Sequence, residues 1–278
     1  MKNSTVNFTT SEASFESSDV LLRLQMSVYS INVLFGLPTH SFIIWLIITG
    51  TGSGIPSDFF ILNLSVCEIG ICLNSVITLF LYYFSISNLL GLINFLIGLS
   101  ITGRPLFQCL ICVERYLAVV HPVTFLKYKP LRYRIMCCTA AWIINLASCL
   151  CMFGIISSNI VFFVKCYSIQ FLIFLSIQLF CCLAVLRALK QSGPGEKGRE
   201  REEENHMKRR AFHLILITAV NLVVTYLPFT ISGFYYGLSK QYILELFTFS
   251  FHLFIFGGFV QPFLYLHRAG KLCFLCSP

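Results

Sequence analysis

Charge is what this chain has least of: Asp, Glu, Lys and Arg make up 12% of its 278 residues, while 56% are hydrophobic. A soluble domain is about a quarter charged, so a water-borne globule is excluded, and apolar stretches of about 20 residues are what a ~30 Å hydrocarbon core demands. Several function classes are missing as well. The histidines and acids are not spaced as a metal site and no nucleophile motif stands out, so no enzyme, metal or cofactor is expected. Despite the formal net charge of +8, the basic residues lie between apolar segments beside acidic ones and are not interleaved with stacking aromatics, which sets nucleic acid aside. No internal repeat is visible, against the inverted-repeat plan of many transporters. The opening has no basic start, short apolar run and cleavage site, so the first membrane segment is expected to act as its own insertion signal.

What is there reads as an all-α membrane protein, a seven-transmembrane helix bundle with a short interfacial eighth helix. The spans fall near 26–49, 57–84, 87–120, 131–156, 167–189, 208–236 and 241–266. An odd number puts the termini on opposite sides. With the N-terminus outside, the cytoplasmic side collects Lys127, Lys129, Arg132, Arg134, Arg187, Lys190, Lys208, Arg209, Arg210, Arg268 and Lys271 among others. The outside receives only Lys2, Arg23, Lys165 and Lys240, so the positive-inside rule points to a multi-pass plasma-membrane protein with an extracellular N-terminus. Three regions follow: a polar tail over 1–25 with glycosylation sequons at Asn3 and Asn7, the membrane domain over 26–266, and a short cytoplasmic tail over 267–278. Asn63 matches the same sequon inside a span and should stay unmodified. The stretch 191–207 reads as a solvated, mobile linker.

Most of the thirteen cysteines lie within spans and read as small packing residues. Cys273 and Cys276 follow Arg268 and Lys271 beside the membrane, where a palmitoylated pair would hold the eighth helix on the inner leaflet, in contact with membrane lipids.

Helix counting isolates a polar layer. Arg104 lies eleven residues before Arg115, close to three turns, so both point the same way about 16 Å apart. Counting from the ends of spans one and two puts His40 and Glu68 at the depth of Arg104. An isolated charge there costs about 2.5 to 3.5 kcal/mol, so Arg104 and Glu68 are expected to pair, with His40 and Gln261 as hydrogen-bonding neighbours. The pair serves either as a structural salt bridge or as a titrating or ion-sensing switch.

The third span ends in Glu114-Arg115-Tyr116, then His121-Pro122, and this resembles helix 3 and the second cytoplasmic loop of rhodopsin-like (class A) G-protein-coupled receptors. Gly36-Leu37-Pro38-Thr39-His40 is similar to the helix 1 motif of the purinergic and protease-activated branch. Asn63 to Glu68 resembles the helix 2 motif with Glu for Asp, and Trp142 fits the helix 4 tryptophan. Thr225-Tyr226-Leu227-Pro228 resembles the helix 6 Cys-Trp-x-Pro region, and Gln261-Pro262-Phe263-Leu264-Tyr265 the helix 7 Asn-Pro-x-x-Tyr motif. Five motifs in order, each on its span, carry the resemblance.

The resemblance implies coupling to a heterotrimeric G protein through Glu114, Arg115, Tyr116, Pro122, Val123 and Tyr265. Glu114 would hold Arg115 at rest, and Tyr226, Pro228 and Pro262 would serve as switch residues. It also marks departures. Leu90 stands where the family has the helix 3 cysteine, so the usual bridge to the outer loop of Cys166 cannot form. Phe174, Cys182 and Leu222 replace other switch positions, and Arg104 supplies beside Glu68 the positive charge that the family usually takes from sodium. The outer pocket candidates Ile97, Phe229, Gly233, Tyr236, Phe247 and Phe251 offer no counter-ion for an amine and suggest an unknown apolar or lipid-like ligand. A receptor signalling from an extracellular or lipid-borne cue is the reading. Its rivals are a non-signalling scaffold or decoy, which would explain the altered switches, and a transporter or proton channel using His40, Glu68 and Arg104 as a relay.

Overall fold

The computed structural model describes residues 19–50, 58–84, 89–128, 131–156, 160–191, 199–239 and 244–270. All the regular structure among them is helical, and seven helices are long and apolar enough to cross a membrane. They are Asp19–Ile48, Asp58–Phe84, Leu90–Val120, Leu131–Ile156, Ile160–Gln191, Arg199–Ser239, and a seventh built from two pieces, Leu244–Gly257 and Val260–Arg268. The chain is therefore an all-α, multi-pass bundle. Asn3, Asn7, Cys273 and Cys276, with most of the tail in which the eighth helix is expected, lie outside the described residues.

The third span is the axis. In its most apolar window 78% is buried inside the protein, against 22% for the fourth, which lies at the periphery. Lipid is as apolar as leucine, so burial of this kind reflects packing and interhelical hydrogen bonds more than hydrophobic driving force. One apolar cluster joins Ile101 and Cys112 to Phe171, Leu222, Tyr226, Phe229 and Phe254. A second joins Phe107 and Ile111 to Ile43, Leu64, Ala141 and Tyr265. Polar links tie spans four and five to their neighbours, spans two and three. Trp142 Nε1 donates to Asn63 Oδ1 at 2.8 Å, and Asn63 donates in turn to the Phe59 carbonyl. Gln178 donates to the Pro105 carbonyl at 2.6 Å.

Several helices depart from the sequence boundaries; the fifth, for example, begins at Ile160 against an expected start near 167. The first begins at Asp19 and carries a π-turn at Asn32–Gly36, which turns Asn32 inward to donate to Ser75 Oγ at 3.0 Å. The sixth runs unbroken from Arg199, so the second half of the expected linker is helical. Glu, Arg and Lys there are strong helix formers, and helical propensity does not stop at the membrane surface. After the third span, Pro122–Tyr128 forms a separate short helix with Pro at its first position, where no N–H is needed.

The seventh span breaks where Gly257 and Gly258 adjoin. Gly258 N–H donates to the Ile255 carbonyl and Phe259 N–H to the Phe256 carbonyl, both at 3.1 Å and both three residues back. This tightening takes the regular donor away from the Phe254 carbonyl, and a buried carbonyl in a membrane protein must find another.

Candidate functional site

That carbonyl finds Arg104. The guanidinium, 1% exposed, donates from Nε and Nη2 to the two carboxylate oxygens of Glu68 and from Nη1 to the Phe254 carbonyl. Its carbon sits 3.9 Å from the centroid of the Phe254 ring, adding a cation–π contact. One side chain thus ties spans two, three and seven together at mid-membrane. The break in the seventh span makes this possible twice over, since it frees the carbonyl and brings glycine against the pair. A Cβ on Gly258 would stand 2.8 Å from both Arg104 Nη2 and Glu68 Oε2.

His40 and Gln261 are buried nearby, at 3% and 4% exposure, but they are not the neighbours that complete the pair. The third acceptor is backbone, and His40 Nδ1 has no hydrogen-bond partner. The expectation of side-chain partners fails because the freed Phe254 carbonyl offers a fixed acceptor within reach.

Next to the pair, Tyr226 is fully enclosed and donates to Gln108 Oε1 at 2.6 Å, joining span six to span three. Its ring packs on Phe171 and Phe254, with centroids 5.6 and 6.1 Å away. On the opposite side of the break, Asn221 Nδ2 donates to the Gly257 carbonyl at 3.3 Å. Sequence reasoning missed Gln108, Phe254, Asn221 and the glycine pair. Only Gly257-Gly258, inside an otherwise apolar span, was a visible signal.

Toward the end of the bundle that holds Lys165, Phe229 packs against Phe171 and Phe247 with centroids 5.2 Å apart in each case, and Phe251 stacks on Phe254. Ile97 packs on the same cluster. Gly233 is a contact point between spans: a Cβ there would fall 2.0 Å from Ser168 Oγ. The cavity lined by Gly233, Tyr236 and Phe247 holds only about 20 Å³, room for a single water.

At the other end the expected Glu114–Arg115 pair is replaced. Glu114 Oε1 accepts from Arg134 Nε at 3.1 Å, across to span four, and Arg115 Nε has no partner. Adjacent residues on a helix point about 100° apart, so Glu114 faces the fourth span while Arg115 faces the interior. Arg115 lines a cavity of about 190 Å³ with two further charged residues, Glu114 and Arg268, and with apolar residues that include Ala118, Leu189, Leu214 and Leu264, contributed by spans three, five, six and seven. Tyr116 hydroxyl lies 3.0 Å from His121 Nε2 and its ring packs on Phe180. Pro122 and Val123 are exposed on the short helix, whereas Tyr265 is buried in the inner apolar cluster. Pro228 lies within the sixth span and Pro262 two residues after the start of the last helix. Cys166 is exposed and free, and the described residues hold no cluster of three His, Cys, Asp or Glu fit for a metal.

The family model of the seven-transmembrane receptors of the rhodopsin family matches residues 40–162, from the polar layer through Glu114-Arg115 to the start of span five. Over those residues, under half of the chain, it is similar to that family. The uracil nucleotide/cysteinyl leukotriene receptor of Homo sapiens is 28% identical over 42% of this chain and 34% of its own length. That of Rattus norvegicus is 24% identical over 73% and 64%. The C-C chemokine receptor type 8 of Homo sapiens is 27% identical over 50% and 42%. The chain thus spans less than two thirds of the length of these curated relatives. The polar layer of this chain carries a resident arginine, Arg104.

Proposed function

We propose that the chain is a plasma-membrane receptor, N-terminus outside, that passes an extracellular or lipid-borne signal to a heterotrimeric G protein. The observation that carries this reading is the cavity around Arg115. It opens between spans three, five, six and seven, is walled by Ala118, Ala211 and Leu214, and contains an arginine whose Nε has no partner. An opening with apolar walls and two cations, the half-buried Arg115 and the exposed Arg268, against one carboxylate, Glu114, that Arg134 engages, suits the end of a partner's helix, whose free carbonyls carry negative charge. Of the other coupling candidates, Tyr116 packs on Phe180, Tyr265 follows the cavity-lining Leu264, and Pro122 and Val123 are exposed on the short helix. A basal-coupling assay across G-protein classes, comparing the chain with Arg115→Ala, tests the reading. Signal above mock transfection that falls by an order of magnitude in the variant supports it; no signal with any class, or signal indifferent to Arg115→Ala, rejects it.

In this reading Arg104 replaces the mobile cation of the polar layer. A guanidinium held by Glu68 makes a second cation electrostatically unwelcome there, so His40, Glu68, Arg104 and Gln261 form a fixed core. The ligand reading is apolar. The relatives' names include a nucleotide, but spans three, six and seven present Ile97, Phe229, Tyr236, Phe247 and Phe251 at the outer end without a cation. Because those rings fill the space, an apolar ligand would enter by displacing Phe247 and Phe251, and motion would pass through Phe254 to Tyr226 and Pro228.

A second reading, a scaffold or decoy that does not signal, draws on the same core. Arg104 and the Tyr226–Gln108 bond clamp spans two, three, six and seven together, and activation would have to break buried, charge-assisted bonds.

A further inference from the structure

The seam between the sixth span and the last helix is open to the membrane. One trough there, of about 420 Å³, has Arg209, His213 and His267 at its outer rim; a second, of about 400 Å³, runs deeper past Phe259 and Val260 to Thr39 of the first span. Ile217, Phe263 and Leu264 line both, so the two form one continuous groove. It stays open although helices flank it: Phe263 is 55% and Ile217 47% exposed.

The groove is chemically two-ended. From Arg209 to Ile217 the sixth helix rises about 12 Å, from the membrane boundary into the hydrocarbon layer. The boundary end is polar, with the cation of Arg209 beside the imidazoles of His213 and His267. The Nδ1 of His213 lies 2.7 Å from the Arg209 carbonyl, which holds the ring beside the arginine, and no acidic residue lines either trough. The deep end is aliphatic and aromatic. A water-soluble anion would leave the deep end unused, and a neutral sterol would leave the arginine unused.

We propose that this groove is a binding site for an anionic phospholipid of the leaflet at the Arg115 end. The phosphate lies among Arg209, His213 and His267, and one acyl chain runs along Ile217, Phe263 and Phe259. The site does not depend on whether the chain signals, and its test reads lipid and not activity.

Native mass spectrometry of the full chain in detergent, with phosphatidylinositol 4-phosphate and phosphatidylcholine added in equal amounts, provides that test. The parent should retain the phosphoinositide in preference. Arg209 and His213 are exposed, so Arg209→Gln with His213→Gln leaves the fold intact and should lower the retained fraction roughly five-fold for the one formal charge removed. Arg132→Gln, an equal charge change on span four, should leave it unaltered. Ile217→Trp, which fills the groove without touching charge, should lower it as well. Equal retention of phosphatidylcholine, a loss as large with Arg132→Gln, retention indifferent to Ile217→Trp, or complete displacement by water-soluble inositol phosphate would each overturn the proposal.

Discussion

At the scale of single residues, the polar layer works as a unit because each member answers another's need. Glu68 and Arg104 are charges that lipid-depth burial would penalise singly, and the Phe254 carbonyl is an acceptor that the helix break has deprived of its donor. Removing one partner should therefore cost about 3–5 kcal/mol, while removing both charges at once should be milder, since neither is left uncompensated. Melting temperatures in detergent for Glu68→Leu, Arg104→Leu and the double variant check this, and losses that merely add would reject it. The parent should be indifferent to sodium beyond general salt effects, with potassium and choline as controls. Gly258 gives a second, independent probe. A methyl group there meets both charged side chains at 2.8 Å and the Ile255 carbonyl at 3.1 Å, so Gly258→Ala should destabilise by about 1–3 kcal/mol without altering any charge. An unchanged melting temperature would show that the layer gives way more easily than its packing implies.

At the scale of elements, the spans were legible because hydropathy and the sidedness of Lys and Arg are properties of composition. Their ends were less so. The sixth helix continues eight residues below Met207 because helix propensity ignores the membrane surface, and the first starts at Asp19 because a polar turn can still be helical. Counting at 1.5 Å per residue places His40, Glu68 and Arg104 at one depth, but it cannot name a backbone carbonyl, so Phe254 was out of reach. Nor could it show which way Glu114 turns. The pairing with Arg134 depends on where span four packs, a fact no local pattern encodes. Among the described residues, one neutral hydrogen bond reinforces the apolar packing of span six on span three. Tyr226→Phe keeps the ring packing on Phe171 but leaves the Gln108 amide oxygen unpaired. It should cost about 1–3 kcal/mol of thermal stability. If the sixth span must part from the third during signalling, the same change should raise basal coupling; a stability loss with no change in coupling would confine Tyr226 to structure.

For the whole molecule, sidedness decides what every site can meet. If the N-terminus is outside, the cavity around Arg115 and the groove beside Arg209 face the cytoplasm, and the aromatic end between Phe229 and Phe251 faces the exterior. The charge distribution supports that arrangement, because Arg132, Arg134, Arg187, Lys190, Arg209 and Arg268 all lie at one end of the bundle while Arg23 and Lys165 lie at the other. Two sequons in the first ten residues turn this into an experiment, since only an exterior tail meets the glycosylation machinery. The chain from cultured cells should lose apparent mass on glycosidase treatment, and Asn3→Gln with Asn7→Gln should abolish the shift. Asn63 supplies an internal control: its amide is engaged with Phe59 and Trp142 inside the bundle, so Asn63→Gln should leave the glycan pattern unchanged. A parent whose mass ignores glycosidase, together with an epitope tag on the N-terminus that antibodies reach only after permeabilisation, would invert the topology. The Arg115 cavity would then face the outside and could serve no G protein.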